Sequence, residues 1–173
     1  MRRFILGKMS KRRVSSNQRP LRPETARQRE TTTKRRGELS ELAFTYKAAS
    51  LGFGVAKPYG DSERYDFILD SRPLDALENA CGRLWRVQVK STTTLLCGLY
   101  RINAHRRVQG SAIPYRSSEV DFLVAHIVPE DAWYIFPIHD ILERTSILLS
   151  PKDWPRPNTT DCYREAWHLF RSG

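Results

Sequence analysis

A chain of 173 residues has room for one domain with a real hydrophobic core plus an appendage. Its net charge of +10 sits at one end: residues 1–36 hold 13 Lys and Arg against Glu24 and Glu30, whereas residues 37–173 come out at −1. No apolar run reaches the length of a membrane span, and Phe4-Ile5-Leu6 is too short for a signal-peptide core. Cys81, Cys97 and Cys162 are odd in number and widely spaced, which fits neither a disulfide framework nor a zinc pattern and predicts a reducing, cytoplasmic setting.

Residues 1–36 are rich in Arg, Ser, Thr, Gln and Pro, a composition that predicts a disordered basic tail ahead of a folded domain over 37–173. Met9 offers a second initiation point within it. Such an arm neutralises phosphates with little regard for sequence, and Arg12, Arg13, Lys34, Arg35 and Arg36 are its candidate nucleic-acid contacts. From Gly37 a helix is expected to run to about Leu51, closed by Gly52. Leu39, Leu42, Ala43 and Tyr46 form one apolar stripe and Phe44, Ala48 and Leu51 another, which predicts a helix enclosed on two sides, with Glu38, Glu41 and Thr45 on the arc between.

Short strands are expected at Phe53 to Ala56 and Arg64 to Leu69, separated by the turn-rich Lys57-Pro58-Tyr59-Gly60-Asp61. Pro73 and Gly82 punctuate a small helical insertion over 73–81. Leu84 to Ser91 reads as the third strand, and Leu99 to Asn103 as a further strand extending the sheet. Val120 to Val128, almost continuously apolar, and Trp133 to Ile138 flank Pro129-Glu130-Asp131-Ala132 as a hairpin. Asp161 is expected to cap a final helix carrying Tyr163, Ala166, Trp167 and Phe170. The order predicts an α/β domain: a central mixed β-sheet flanked by helices.

The chemistry concentrates on two of these strands. Strand alternation puts Gln88 and Lys90 on one face, with Val87 and Val89 on the other. Asp66, an acid at the end of the neighbouring strand, supplies a carboxylate suited to a hard divalent cation. Gln88 adds an amide oxygen and Val89 a main-chain carbonyl, but an amide leaves the site one negative charge short of a carboxylate. Glu41 is the candidate to make up that charge, with Glu38 second. Lys90 beside such a metal can orient the attacking water and stabilise charge building on a phosphate.

The ordered set Gly37-x-x-x-Glu41, Gly52, Pro58, Arg64-Tyr65-Asp66, Val87-Gln88-Val89-Lys90-Ser91, Val120-Asp121-Phe122 and Trp133 to Ile138 resembles the PD-(D/E)XK nuclease superfamily. It is most similar to a bacterial branch with a PD-(D/Q)XK motif that includes intron-associated homing endonucleases; archaeal Holliday-junction resolvases share the layout but keep Glu at the Gln88 position. The resemblance implies a restriction-endonuclease-like core and a Mg²⁺-dependent DNA endonuclease, with Mn²⁺ able to substitute. Asp66, Gln88, Lys90 and Glu41 would be catalytic, with Asp66, Gln88, Val89 and Glu41 holding the metal. DNA is the expected partner, a membrane is not, and paired cuts imply a homodimer or homotetramer.

Ser91, Arg106, Arg107 and Arg116 join the candidate nucleic-acid contacts, and Tyr115-Arg116-Ser117-Ser118 would border the active face. His105, His126, His139 and His168 are scattered, so core or surface roles are expected of them rather than metal binding. Trp154 and Trp167 read as core or interface residues. The alternative function is a catalytically silent DNA- or RNA-binding protein that retains the fold, with Gln88 as its motivating feature.

Overall fold

The computed structural model describes residues 26–60, 62–72 and 82–171. Arg12, Arg13 and the helical insertion expected over 73–81 lie outside these residues. The long helix α1 spans Ala26–Ser50. The strands are β1 (Gly54–Ala56), β2 (Phe67–Asp70), β3 (Leu84–Thr92), β4 (Leu95–Leu96), β5 (Leu99–Asn103), β6 (His105–Val108), β7 (Ser111–Pro114), β8 (Phe122–Ile127), β9 (Ala132–Pro137) and β10 (Ser146–Leu149).

The central sheet runs β1-β2-β3-β8-β9, with β3 and β8 parallel and the remaining neighbours antiparallel. A parallel pair needs a long crossover, and residues 93–121 supply it. They carry β4, β5 and a separate hairpin, β6-β7, and β5 and β4 are completed into a three-stranded sheet, in the order β10-β5-β4, by a strand that follows the central sheet. Every residue of β8 and β9 is buried, as the apolar run from Val120 predicts.

Alternation along β8 divides the core in two. Phe122 and Val124 join Val87, Val89, Trp133 and Ile135 beneath Phe44 and Ala48 of α1. Leu123, Ala125 and Ile127 join Tyr134 and Phe136 beneath Tyr100, Ile102, Ile147 and Leu149 of the small sheet. Phe44, with no exposed surface, stands 5.1 Å from the Phe67 ring, 6.2 Å from Trp133 and 6.0 Å from Trp167. A phenylalanine so enclosed is worth about 3–5 kcal/mol, and here it seats the helix that carries Glu41.

A polar clamp fixes the same helix. The His126 ring stacks on Trp133 at 3.9 Å between centroids. Its Nδ1 lies 3.1 Å from Ser40 Oγ on α1, and its Nε2 lies 3.2 Å from Asp131 Oδ1. A neutral ring that donates from Nε2 to Asp131 accepts the Ser40 hydroxyl at Nδ1. His126 is thus a core residue, one of the two roles, core or surface, expected of the scattered histidines.

Four expectations are corrected. First, α1 begins at Ala26, not Gly37, because no proline or glycine interrupts residues 26–36 and Arg, Gln, Glu and Lys sustain a helix. Lys34, Arg35 and Arg36 therefore ride on it. Second, the helix is enclosed on one side only: Leu39, Leu42 and Tyr46 are 51%, 67% and 78% exposed.

Third, β5 pairs with β10 and β4 and does not extend the central sheet. Fourth, no continuous α-helix forms over 161–170. Two 3₁₀ turns, Asp161–Tyr163 and Trp167–Phe170, are separated by Glu165 with φ of +50°. That segment is bound to the β9 edge instead, through Glu165 N–H to Trp133 O at 2.7 Å and Trp133 N–H to Glu165 Oε1 at 2.8 Å. Among the described residues α1 is the one α-helix, so the sheet is flanked by a helix on one face and by strands on the other. No helix among them is long and apolar enough to cross a membrane.

Candidate active site

The antiparallel register Phe67↔Val87 sets Asp66 beside Gln88 at the point where β2 begins. Asp66 N–H donates to Val87 O at 2.9 Å, which carries the ladder one step further and fixes the acid. Its side chain is held at one oxygen: Oδ2 accepts Gln88 Nε2 at 2.5 Å and Val89 N–H at 2.8 Å. Gln88 Nε2 also lies 3.3 Å from Val89 O. One amide group thus spans the Asp66 carboxylate and the Val89 carbonyl, two of the oxygens expected to meet a metal.

These residues open on a cleft of about 930 Å³ that Glu41, Asp66, Gln88, Val89 and Lys90 all line. Burial pushes the Asp66 carboxyl above its usual range; the Val89 N–H, Lys90 and Gln88 pull it down, and the nearby Glu41 adds to the rise. Two acids therefore face one another closely enough to interact, a repulsion that a cation relieves. Glu41 reaches the cleft from α1, one residue after the clamped Ser40, and its Oε2 accepts Lys57 Nζ at 2.7 Å. Glu38 lines a smaller side groove of about 430 Å³ beside Glu41 and Lys57 and does not line the main cleft.

Lys90 is half-buried, with its Nζ 5.7 Å from the ring centre of Tyr115. Burial raises the Tyr115 hydroxyl, and the hydrogen bond to Lys90 opposes that rise. Tyr115 is 5% exposed, so it forms a fixed floor beneath the lysine.

The donor set fits a hard divalent cation. It consists of the carboxylates of Asp66 and Glu41, the Val89 carbonyl and the Gln88 amide, all oxygen once the amide is turned to present Oε1. Among the described residues no group of three or more His, Cys, Asp or Glu is placed to hold a metal ion, and this set rests on two carboxylates and two neutral oxygens.

Cations rim the same cleft. Arg36 from α1, Arg101 from β5, and Arg106 and Arg107 from β6 line it, together with Ser91. Arg36 Nη1 donates to Thr93 Oγ1 at 3.2 Å, and the Nε atoms of Arg36 and Arg106 are buried without a hydrogen-bond partner. The structure thus places Arg36, Ser91, Arg106 and Arg107 with the acids. Lys34, Arg35 and Arg116 are exposed outside the cleft lining, Arg35 with Glu38 at 3.8 Å.

Arg101, Asn103 and Lys57 were not among the sequence candidates. Arg101 and Asn103 were findable: Tyr100 and Ile102 are the apolar positions of β5, so the polar pair shares the opposite face. Lys57 carries no such signal, since only the fold brings a residue of the loop after β1 against Glu41.

Asp121, expected in the late motif, has a structural role. Its carboxylate takes Arg86 N–H at 2.7 Å, Nε at 3.0 Å and Nη2 at 2.8 Å, tying the entry of β8 to β3. Arg86 also donates to the main-chain oxygens of Ser117 and Ser118, which fixes the loop leading into that strand.

This arrangement has counterparts. A solved structure described as that of a bacterial homing endonuclease, I-Ssp6803I, superposes with a TM-score of 0.67 at 31% sequence identity, over 82% of this chain and 95% of that one. No curated protein matches. A family model described as PD-(D/E)XK endonuclease matches residues 31–170, a span that holds the whole cleft and its arginine rim. The chain belongs to the PD-(D/E)XK endonuclease family.

Proposed function

We propose that the protein is a divalent-metal-dependent DNA endonuclease, homing or restriction-like, that uses Mg²⁺ or Mn²⁺ to hydrolyse phosphodiester bonds. The observation that carries the reading is the convergence of Asp66, Glu41, Gln88, the Val89 carbonyl and Lys90 in one cleft with an arginine rim. Asp66, Gln88, Val89 and Glu41 would hold the cation. When bound, it supplies Lewis acidity at the phosphate and a more acidic water.

The chain's own groups do the rest. Lys90, seated on Tyr115, faces the charge that builds on the phosphate oxygens as water attacks in line. Arg36 and Arg101 neutralise flanking backbone phosphates, Arg106 and Arg107 add positive charge from β6, and the basic residues Arg12, Arg13, Lys34 and Arg35 extend that field. Paired cuts require two clefts, so a homodimer or homotetramer belongs to the proposal, supported by the exposed apolar stripe Leu39, Leu42 and Tyr46 on α1.

The test is plasmid cleavage with Mg²⁺ or Mn²⁺. Wild type is expected to nick or linearise the DNA, and Lys90→Ala and Asp66→Ala to lose at least about 10²-fold in rate. Equal cutting by wild type and variants, or none by any, would overturn the reading.

A silent nucleic-acid-binding protein is the second reading. It draws on the Gln88 amide nitrogen, which already satisfies Asp66. Calorimetric titration with Mn²⁺ separates the two: DNA binding without metal-binding heat favours the silent protein.

A further inference from the structure

The hairpin β6-β7 belongs to neither core. Its strands pair with each other and with no third strand, and none of its residues is buried. A two-stranded ribbon on its own is marginally stable, so this one adds little to the stability of the fold and leaves both its faces open to a partner. Its base is pinned and its tip is exposed. His105 Nδ1 lies 2.7 Å from Thr145 O, and Arg106 Nη2 donates to Glu119 Oε1 at 3.1 Å. The turn Gln109-Gly110, with φ of +49° and +85°, stands exposed at the other end, the geometry that joins two strands by a tight two-residue link.

The ribbon holds two arginines and a histidine and no acid. The pleat separates their tasks. Arg106 lies opposite Ile113 and is committed to Glu119, whereas the exposed Arg107 lies opposite Ala112 on the other face, with Pro114 and His105 beside it. Arg107 Nη1 donates to Gly110 O at 3.3 Å, which holds the guanidinium beside the exposed turn. Tyr115, the residue after β7, packs against Lys90, so the ribbon ends beside the candidate catalytic lysine.

We propose that β6-β7 is a groove-reading ribbon that enters the major groove of duplex DNA beside the cut, with Arg107 contacting a guanine edge and Gln109 at its tip. The inference rests on the endonuclease reading and deepens it by assigning sequence preference to one element. The major groove, about 12 Å wide, admits a two-stranded ribbon, and arginine to the O6 and N7 of guanine is its commonest specific contact. Backbone phosphates are the business of Arg36 and Arg101 on the cleft walls, whose contacts carry no sequence information.

The experiment is cleavage of a duplex library of randomised sequence with Mg²⁺, followed by sequencing of the cut ends, for wild type, Arg107→Ala and Arg101→Ala. Circular dichroism and the thermal midpoint confirm that each variant is folded. Wild type is expected to yield a consensus containing a guanine near the cut. Arg107→Ala is expected to lose about tenfold or more of the preference at that position and to keep the rest. Arg101→Ala is expected to cut more slowly with the wild-type consensus intact. A wild-type consensus from Arg107→Ala overturns the inference, as does a wild type that cuts with no consensus, and both leave the nuclease reading standing. A wild type that cuts nothing overturns that reading, and the ribbon's role with it.

Discussion

The Gln88 side-chain nitrogen lies 2.5 Å from Asp66 Oδ2, and the same oxygen takes the Val89 N–H at 2.8 Å. The amide does for the isolated site what a cation would do for the loaded one: it offers positive hydrogens to a buried carboxylate and to the Val89 carbonyl at once. A glutamate at residue 88 would oppose Asp66 there. The missing negative charge therefore lets two acids and a carbonyl crowd together before any metal arrives. Turning the amide exchanges its donor for an oxygen ligand.

Asp66 is held at a cost to stability. Burial and Glu41 raise its carboxyl above the unfolded value, so its contribution is most favourable below that value and is lost as pH rises through the folded one. Asp66→Asn keeps an acceptor for Gln88 and Val89 and removes the charge. The metal-free variant is expected to melt roughly 2–4 °C above wild type at neutral pH. Scanning calorimetry is the check, and the advantage should shrink or reverse when Mn²⁺ is added to both.

Gln88→Glu is expected to move the other way. The free protein loses a donor to Asp66 and gains a like charge beside it, which should cost roughly 1–3 kcal/mol. Metal affinity should rise, because the site recovers the charge that the amide lacks. Thermal melts with and without Mg²⁺ read both effects, with a larger metal-induced rise in Tm than wild type shows.

His126 makes the fold acid-sensitive. Burial holds its pKa below the ordinary 6.5, and Asp131 only partly restores it. The unfolded chain then binds the proton more readily than the native one. The stability from the neutral ring is complete above about pH 6.5 and is lost as pH falls through the lower folded value. Urea denaturation from pH 8 to 5 should show this decline, and His126→Gln should flatten it while lowering stability at pH 8. Ser40→Ala, which removes the hydroxyl at 3.1 Å, is expected to cost about 1 kcal/mol.

Gly98 tests the packing of the small sheet. It turns the chain between β4 and β5 with φ of +83°, and a Cβ there would lie 2.6 Å from the Trp154 ring. Backbone strain and the clash add in Gly98→Ala, with an expected loss of about 1–3 kcal/mol in chemical denaturation.

The central sheet was legible where one physical signal dominates. The apolar run from Val120 fixed β8, and the alternation Val87, Gln88, Val89, Lys90 set both β3 and its chemical face. Asp66, Gln88 and Lys90 were readable for that reason. The last segment was not: Tyr163, Ala166, Trp167 and Phe170 have helical spacing, but Glu165 bonds to Trp133 and Arg164 to Tyr134, so tertiary partners outbid the local ladder. Leu39, Leu42 and Tyr46 misled similarly, since periodicity marks an apolar face without saying what covers it. The β6-β7 ribbon escaped notice because neither of its strands buries a face, which leaves no alternation to detect.

Diffraction from crystals grown with Mn²⁺, recorded at the manganese edge, tests the metal site most directly. The expected result is an anomalous peak within ligand distance of an Asp66 oxygen and the Val89 carbonyl, with the Gln88 amide turned to present Oε1 and Glu41 facing the ion. A cleft without manganese, with Gln88 Nε2 still on Asp66 Oδ2, would contradict the account.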